Sequence, residues 1–68
     1  MRPIDSTAIA YAGFDPTTQI LRLKYTNGRT YDYFGVPQEI HEQLLSADSA
    51  GEFVNLEIKP TYDYSEVE

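Results

Sequence analysis

His41 is the one histidine of this 68-residue chain, and there is no cysteine. An imidazole is the natural general base near neutral pH, but it catalyses only when a second group orients it beside a substrate pocket. No Ser or Asp spacing supplies a triad. One imidazole without a thiolate is no transition-metal ligand set, and the scattered carboxylates lack the pattern of a calcium loop. Gly28, Gly35 and Gly51 stand apart rather than in a glycine-rich loop opening a helix, so no phosphate cradle is encoded. These residues predict a non-enzyme with no metal and no cofactor.

Binding chemistry is better represented. Tyr31 and Tyr33 flank Asp32, with Arg22, Lys24 and Arg29 close by in sequence. Rings and cations on one exposed face stack unpaired bases and hold phosphates, which makes Arg22, Lys24, Arg29, Tyr31 and Tyr33 a candidate nucleic-acid-binding set. The competing reading packs both tyrosines on the core with only their hydroxyls wet. Ile20, Phe34 and Val54 are candidate contacts for a protein partner. Ser6, Thr7, Ser49 and Asn55 would suit an anion or a peptide end, although local capping and turn bonds are what such residues do routinely. His41, at the edge of an apolar helical stripe, reads as a packed helix histidine rather than a base.

The elements that position these groups follow from periodicity. Ser6 to Phe14 reads as a strand, with Ile9 and Tyr11 on one side and Ala8, Ala10, Ala12 and Phe14 on the other. Asp15-Pro16-Thr17-Thr18 makes a turn. Gln19 to Tyr25 is a second strand, Leu21, Leu23 and Tyr25 facing one way and Ile20, Arg22 and Lys24 the other. Asn27-Gly28 signals a hairpin with two possible registers. A two-residue turn sets Arg22 against Tyr33 and Lys24 against Tyr31, giving a basic, aromatic face. A three-residue loop with Gly28 in a bulge sets Leu21 against Tyr33 and Leu23 against Tyr31, and core formation favours it.

Pro37 suits the first position of a helix running to about Ser46, with Ile40, Leu44 and Leu45 as its buried stripe. Ser49-Ala50-Gly51-Glu52 has capping-box spacing ahead of Phe53, Val54, Leu56 and Ile58, so a second short helix is expected, ended by Pro60. Residues 61–68 read as an acidic tail, frayed apart from contacts by Tyr62 and Tyr64. The fold class predicted is α+β: a three-stranded antiparallel meander followed by two short helices packed on one face. One domain of 1–68, with its core at about 5–62, is all that this length supports.

Eleven carboxylates oppose five cations, for a net charge of −6. The imbalance is local. Residues 1–38 carry +1, whereas residues 39–68 carry eight acids against Lys59 alone, a balance of −7. Net acidity repels nucleic acid at long range and favours a protein partner. No apolar run approaches the roughly 20 residues of a membrane span, and the Met1-Arg2-Pro3-Ile4-Asp5 start lacks a signal-peptide core. A cytoplasmic protein, monomeric or weakly self-associating, is expected.

The order of motifs resembles the KTSC domain, named after the lysyl-tRNA synthetase C-terminus and known also as a stand-alone protein in bacteria and phages. The matching pieces are Asp5-Ser6-Thr7-Ala8-Ile9, Gly13-Phe14-Asp15, Leu21-x-Leu23-x-Tyr25 with Gly28, Tyr31-x-Tyr33 and Val36-Pro37. They continue with Leu44-Leu45-x-Ala47, Ser49-x-Gly51-x-Phe53-x-Asn55 and Ile58. The resemblance implies a small binding module with RNA as its suggested ligand, from the synthetase context. A protein-interaction or assembly module is the alternative that the acidic charge favours.

Overall fold

The loop after Tyr25 sets the register of the sheet. In the computed structural model, which describes residues 2–4 and 6–67, the Gly28 amide donates to the Tyr25 carbonyl at 3.0 Å and the Tyr25 amide to the Arg29 carbonyl at 2.8 Å. Thr26-Asn27-Gly28 is thus a three-residue loop, and Gly28, at φ 91°, adopts the left-handed backbone that glycine enters without steric penalty. The Asn27 side-chain oxygen accepts from the Arg29 amide at 2.9 Å. Leu21 pairs with Tyr33 and Leu23 with Tyr31. The bulged register is therefore the one adopted.

The predicted meander forms the centre of a larger sheet. Five antiparallel strands lie in chain order: β1 (Arg2–Pro3), β2 (Ile9–Asp15), β3 (Ile20–Tyr25), β4 (Thr30–Tyr33) and β5 (Tyr64–Val67). The expectation of a frayed tail needs correction. Residues 64–67 pair along β4, from Thr30 with Val67 to Tyr33 with Tyr64. Backbone pairing outweighs the tail's polar composition, because β4 would otherwise present a row of unpaired amides and carbonyls. Asp5 of the first family motif and Glu68 of the acidic tail lie outside the described residues.

A bulge also corrects the first strand. Ile9 pairs with Tyr25 but Tyr11 pairs with Lys24, so Ala10 is an extra residue and the side-chain alternation changes phase there. Ile9 and Ala12 consequently share the core face, while Tyr11 turns outward at 41% exposure. Ser6 prepares this entry, its Oγ accepting from the Ala8 and Ile9 amides at 3.1 and 3.3 Å.

The helices cover the face that carries Leu21 and Leu23. Pro37 is the extended cap of α1 (Gln38–Ser46), one position earlier than expected. Ser49 caps α2 (Ala50–Phe53) as its spacing implied, its Oγ accepting from the Glu52 amide at 3.2 Å. The chain then widens into a π-helical turn over Val54–Ile58. Gly51 permits close packing of α2 on the sheet, since a Cβ there would meet the Ala8 Cβ at 3.2 Å. Ile9, Ala12, Leu21, Leu23, Tyr33, Val36, Leu44, Ala50, Val54 and Ile58 form the buried core. Leu56, expected among the packed residues, is instead 65% exposed. It lies two residues from both Val54 and Ile58, on the far side of the turn.

Ending the chain at Asp63 removes β5 and uncovers the β4 edge. Four cross-strand pairs at roughly 0.2–1 kcal/mol each amount to about 1–4 kcal/mol. The melting temperature should fall by about 5–30 °C. A truncated chain that melts with the full one would contradict β5 as part of the sheet.

Candidate ligand-binding cleft

Strand alternation puts Tyr25, Tyr31 and Tyr33 on the helix-bearing face, and β5 adds Tyr64 opposite Tyr33. Around these rings a cleft of about 370 Å³ opens, lined by Tyr25, Asn27, Tyr31, Tyr33, Lys59 and Tyr64. Tyr25 and Tyr31 meet edge to face at 5.5 Å between centroids, Tyr31 and Tyr64 likewise at 5.8 Å, and Tyr33 and Tyr64 are tilted at 5.7 Å. These are the separations at which ring quadrupoles attract. The Lys59 Nζ stands 5.5 Å from the Tyr25 centroid, within cation–π reach. Lys59 follows the π-helical turn directly, so the end of that turn places the cleft's ammonium.

Two hydroxyls anchor the floor. Tyr25 and Tyr33 share a 2.7 Å hydrogen bond between their phenolic oxygens. Burial, reinforced by the bond to Tyr33, pushes the Tyr25 phenol well above its ordinary pKa, and burial raises Tyr33 as well. Both hydroxyls stay protonated at neutral pH. Arg29 lies beside the cleft, outside its lining: the Tyr31 hydroxyl and then the Glu66 carboxylate, 3.7 Å from Nη1, raise its pKa above the usual guanidinium value. The cleft thus offers aromatic faces, phenolic hydroxyls and cations, suited to a flat ring bearing or adjoining an anion.

The five residues expected to bind nucleic acid are divided. Tyr31, Tyr33 and Arg29 lie on the cleft side, but Tyr33 is only 2% exposed and forms floor rather than platform. Arg22 and Lys24 are on the opposite face, because the bulged register alternates them away from the tyrosines. Arg22 is held by Asp32, with Nε to Oδ1 at 2.7 Å and Nη2 to Oδ2 at 3.0 Å. The basic, aromatic face that a two-residue turn would give is therefore not formed, and the bulged register that core formation favours is the one present. Of the expected protein contacts, Phe34 is exposed and Ile20 half-buried on the outer face, but Val54 is core and offers nothing to a partner.

The bland readings fit the remaining candidates. The His41 ring stacks on Phe14 at 5.0 Å and 18°. Ser6 and Ser49 spend their hydroxyls on local amides, the Thr7 carbonyl accepts from Thr26 Oγ1 at 3.0 Å, and Asn55 is exposed. Among the described residues, no three His, Cys, Asp or Glu side chains gather as a metal site, and no helix is long and apolar enough to cross a membrane. Sequence reasoning missed Tyr25, Lys59 and Tyr64 as cleft residues. Lys59, the one cation of the acidic half, was the available signal.

A five-stranded sheet with helices on one face and an aromatic cleft beside them defines a small α+β module. This chain belongs to the KTSC domain family, which it matches over residues 5–67. A crystal structure of a KTSC domain protein from Yersinia pestis has a TM-score of 0.95 at 31% identity, over 98% of this chain and 94% of that one. A protein of Tsukamurella paurometabola is 50% identical over 62 residues, spanning 91% of this chain and 92% of the relative. A lysine–tRNA ligase of Nostoc sp. is 36% identical over 67 residues, 98% of this chain but 12% of the ligase.

Raised phenol pKa values have a signed consequence. The unfolded chain loses its phenolic protons near pH 10, the ordinary value, while Tyr25 and Tyr33 keep theirs in the fold. Their contribution to stability is complete below about pH 10 and is lost as pH rises further. Tyr25→Phe should cost about 1 kcal/mol at neutral pH for the lost hydrogen bond and flatten the alkaline decline. Thermal melts from neutral to pH 11 check this; equal alkaline slopes in the two proteins would contradict it.

Proposed function

We propose that this chain is a non-catalytic binding module of the cytoplasm that holds a short unpaired RNA segment in the tyrosine cleft. The observation that carries the reading is the convergence of Tyr25, Tyr31, Tyr33 and Tyr64 with Lys59 on one open cleft. Tyr64 is 59% exposed and presents a ring face on which a base can stack. Lys59 and Arg29 stand where the adjoining phosphates would run, and the phenolic hydroxyls can bond base edges. The match to a lysine–tRNA ligase lends the nucleic-acid reading its context. Absence of cysteine suits a reducing compartment, since no disulfide is needed.

Charge sets the scale of the affinity. With a net charge of −6 the chain repels a polyanion at distance, so binding rests on two local cations and on stacking. Counterion release from a single strand gives a slope of about −0.7 per neutralised phosphate, hence about −1.4 for Lys59 and Arg29 together.

Titration of the labelled chain with a single-stranded uridine heptamer tests this. The expected log–log salt slope is near the two-cation value, and Lys59→Gln should halve it. Tyr64→Leu keeps an apolar side chain on β5 but removes the stacking face, and should weaken binding by about 5- to 150-fold, the equivalent of roughly 1–3 kcal/mol per stacked base. Lys24→Gln, on the other face, should leave affinity within twofold. No binding at low salt, or a Lys24→Gln loss as large as that of Lys59→Gln, would overturn the proposal.

A further inference from the structure

The acidic half of the chain carries a second surface, separate in its lining from the tyrosine cleft. Ala47, Phe53 and Leu56 floor an open groove of about 340 Å³, and Asp48, Glu52 and Glu57 stand around it. Leu56 is 65% exposed, the most open large apolar side chain among the described residues, while Phe53 is partly buried against the core. An apolar side chain held out to water on helical backbone forgoes the stabilisation that burial gives, and Val54 and Ile58 already supply this element's buried contacts. The turn that carries it is π-helical over Val54–Ile58, a geometry that often accompanies functional sites.

We infer that this groove docks a short basic segment of another protein, one large apolar side chain of which seats on Phe53 and Leu56 while flanking lysines or arginines meet Asp48, Glu52 and Glu57. Charge complementarity selects this occupant. Three carboxylates around an apolar floor repel an acidic segment or a nucleic acid, and leave a purely apolar segment with nothing to answer the rim. The arrangement also gives the −7 balance of residues 39–68 a use beyond solvation. A groove this small anchors one or two side chains, so the affinity is modest and salt-sensitive. The two surfaces take ligands of opposite charge, so an RNA and a basic protein segment need not compete.

A blocked octapeptide of six lysines and two leucines is the probe, titrated into the isotope-labelled full chain and followed by amide chemical shifts. Shifts should centre on Phe53, Leu56 and Glu57. Replacing the peptide's leucines by serine should weaken binding at least tenfold. Leu56→Ser, which leaves the melting temperature within a few degrees because the side chain is exposed, should do the same, and Glu52→Lys with Glu57→Lys should abolish binding. No binding, or binding of the serine peptide as tight as that of the leucine peptide, would reduce the groove to a solvated acidic surface and overturn the inference. Sedimentation of the chain alone supplies the other decisive outcome: self-association abolished by Leu56→Ser would assign the groove to a second copy of this chain instead.

Discussion

The pairing of Leu21 with Tyr33 and of Leu23 with Tyr31 is the constraint on which the rest of the molecule depends. A slip of one residue would send the leucines to solvent and bring Arg22 and Lys24 against the helices. The left-handed Gly28 loop holds this register from one side, and the core holds it from the other: Leu21 and Leu23 are fully buried with Tyr33 beside them. Once it is set, three tyrosines share the helix-bearing face, the Tyr25 and Tyr33 hydroxyls meet, and Arg22 finds Asp32 across β3 and β4 on the other face. The cleft is thus a by-product of forming the core.

Much of this was legible in the residues. The capping box at Ser49, the stripe around Leu44, the Pro60 stop and the hairpin at Asn27-Gly28 all act locally, through backbone preferences and side-chain spacing that a short window contains. The motif order also carried the family. What was hidden is non-local. The bulge at Ala10 follows from fitting β2 to a strand whose register is fixed elsewhere, and it reverses Tyr11 and Ala12 relative to simple alternation. β5 forms because β4 has an edge to cover, which no property of residues 64–67 alone announces. The candidate site was half legible for the same reason: Tyr31 belongs to the local pattern, whereas Lys59 and Tyr64 reach it only after α1, α2 and β5 are in place.

Charge is segregated to match. Residues 1–38 carry most of the cations and residues 39–68 most of the carboxylates, yet a molecule that is acidic overall keeps Lys59 in its aromatic cleft and Arg29 beside it. Arg22, one of the three cations in the candidate set, is occupied by Asp32. The basic stripe of β3 is solvated sheet surface, and the candidate cleft lies on the face that also builds the core. In so small a domain there is little surface to spare, and the same tyrosines pack on the core and line the candidate cleft.

In the function proposed above, ligand meets the tyrosine side of the sheet and not the arginine side. Photo-cross-linking with a 4-thiouridine-containing single strand, followed by peptide mapping, tests it most directly. Adducts are expected on Tyr64 or Tyr31, with protection by unlabelled strand. Adducts on Lys24 or elsewhere on the outer face, with the cleft tyrosines unmodified, would contradict it.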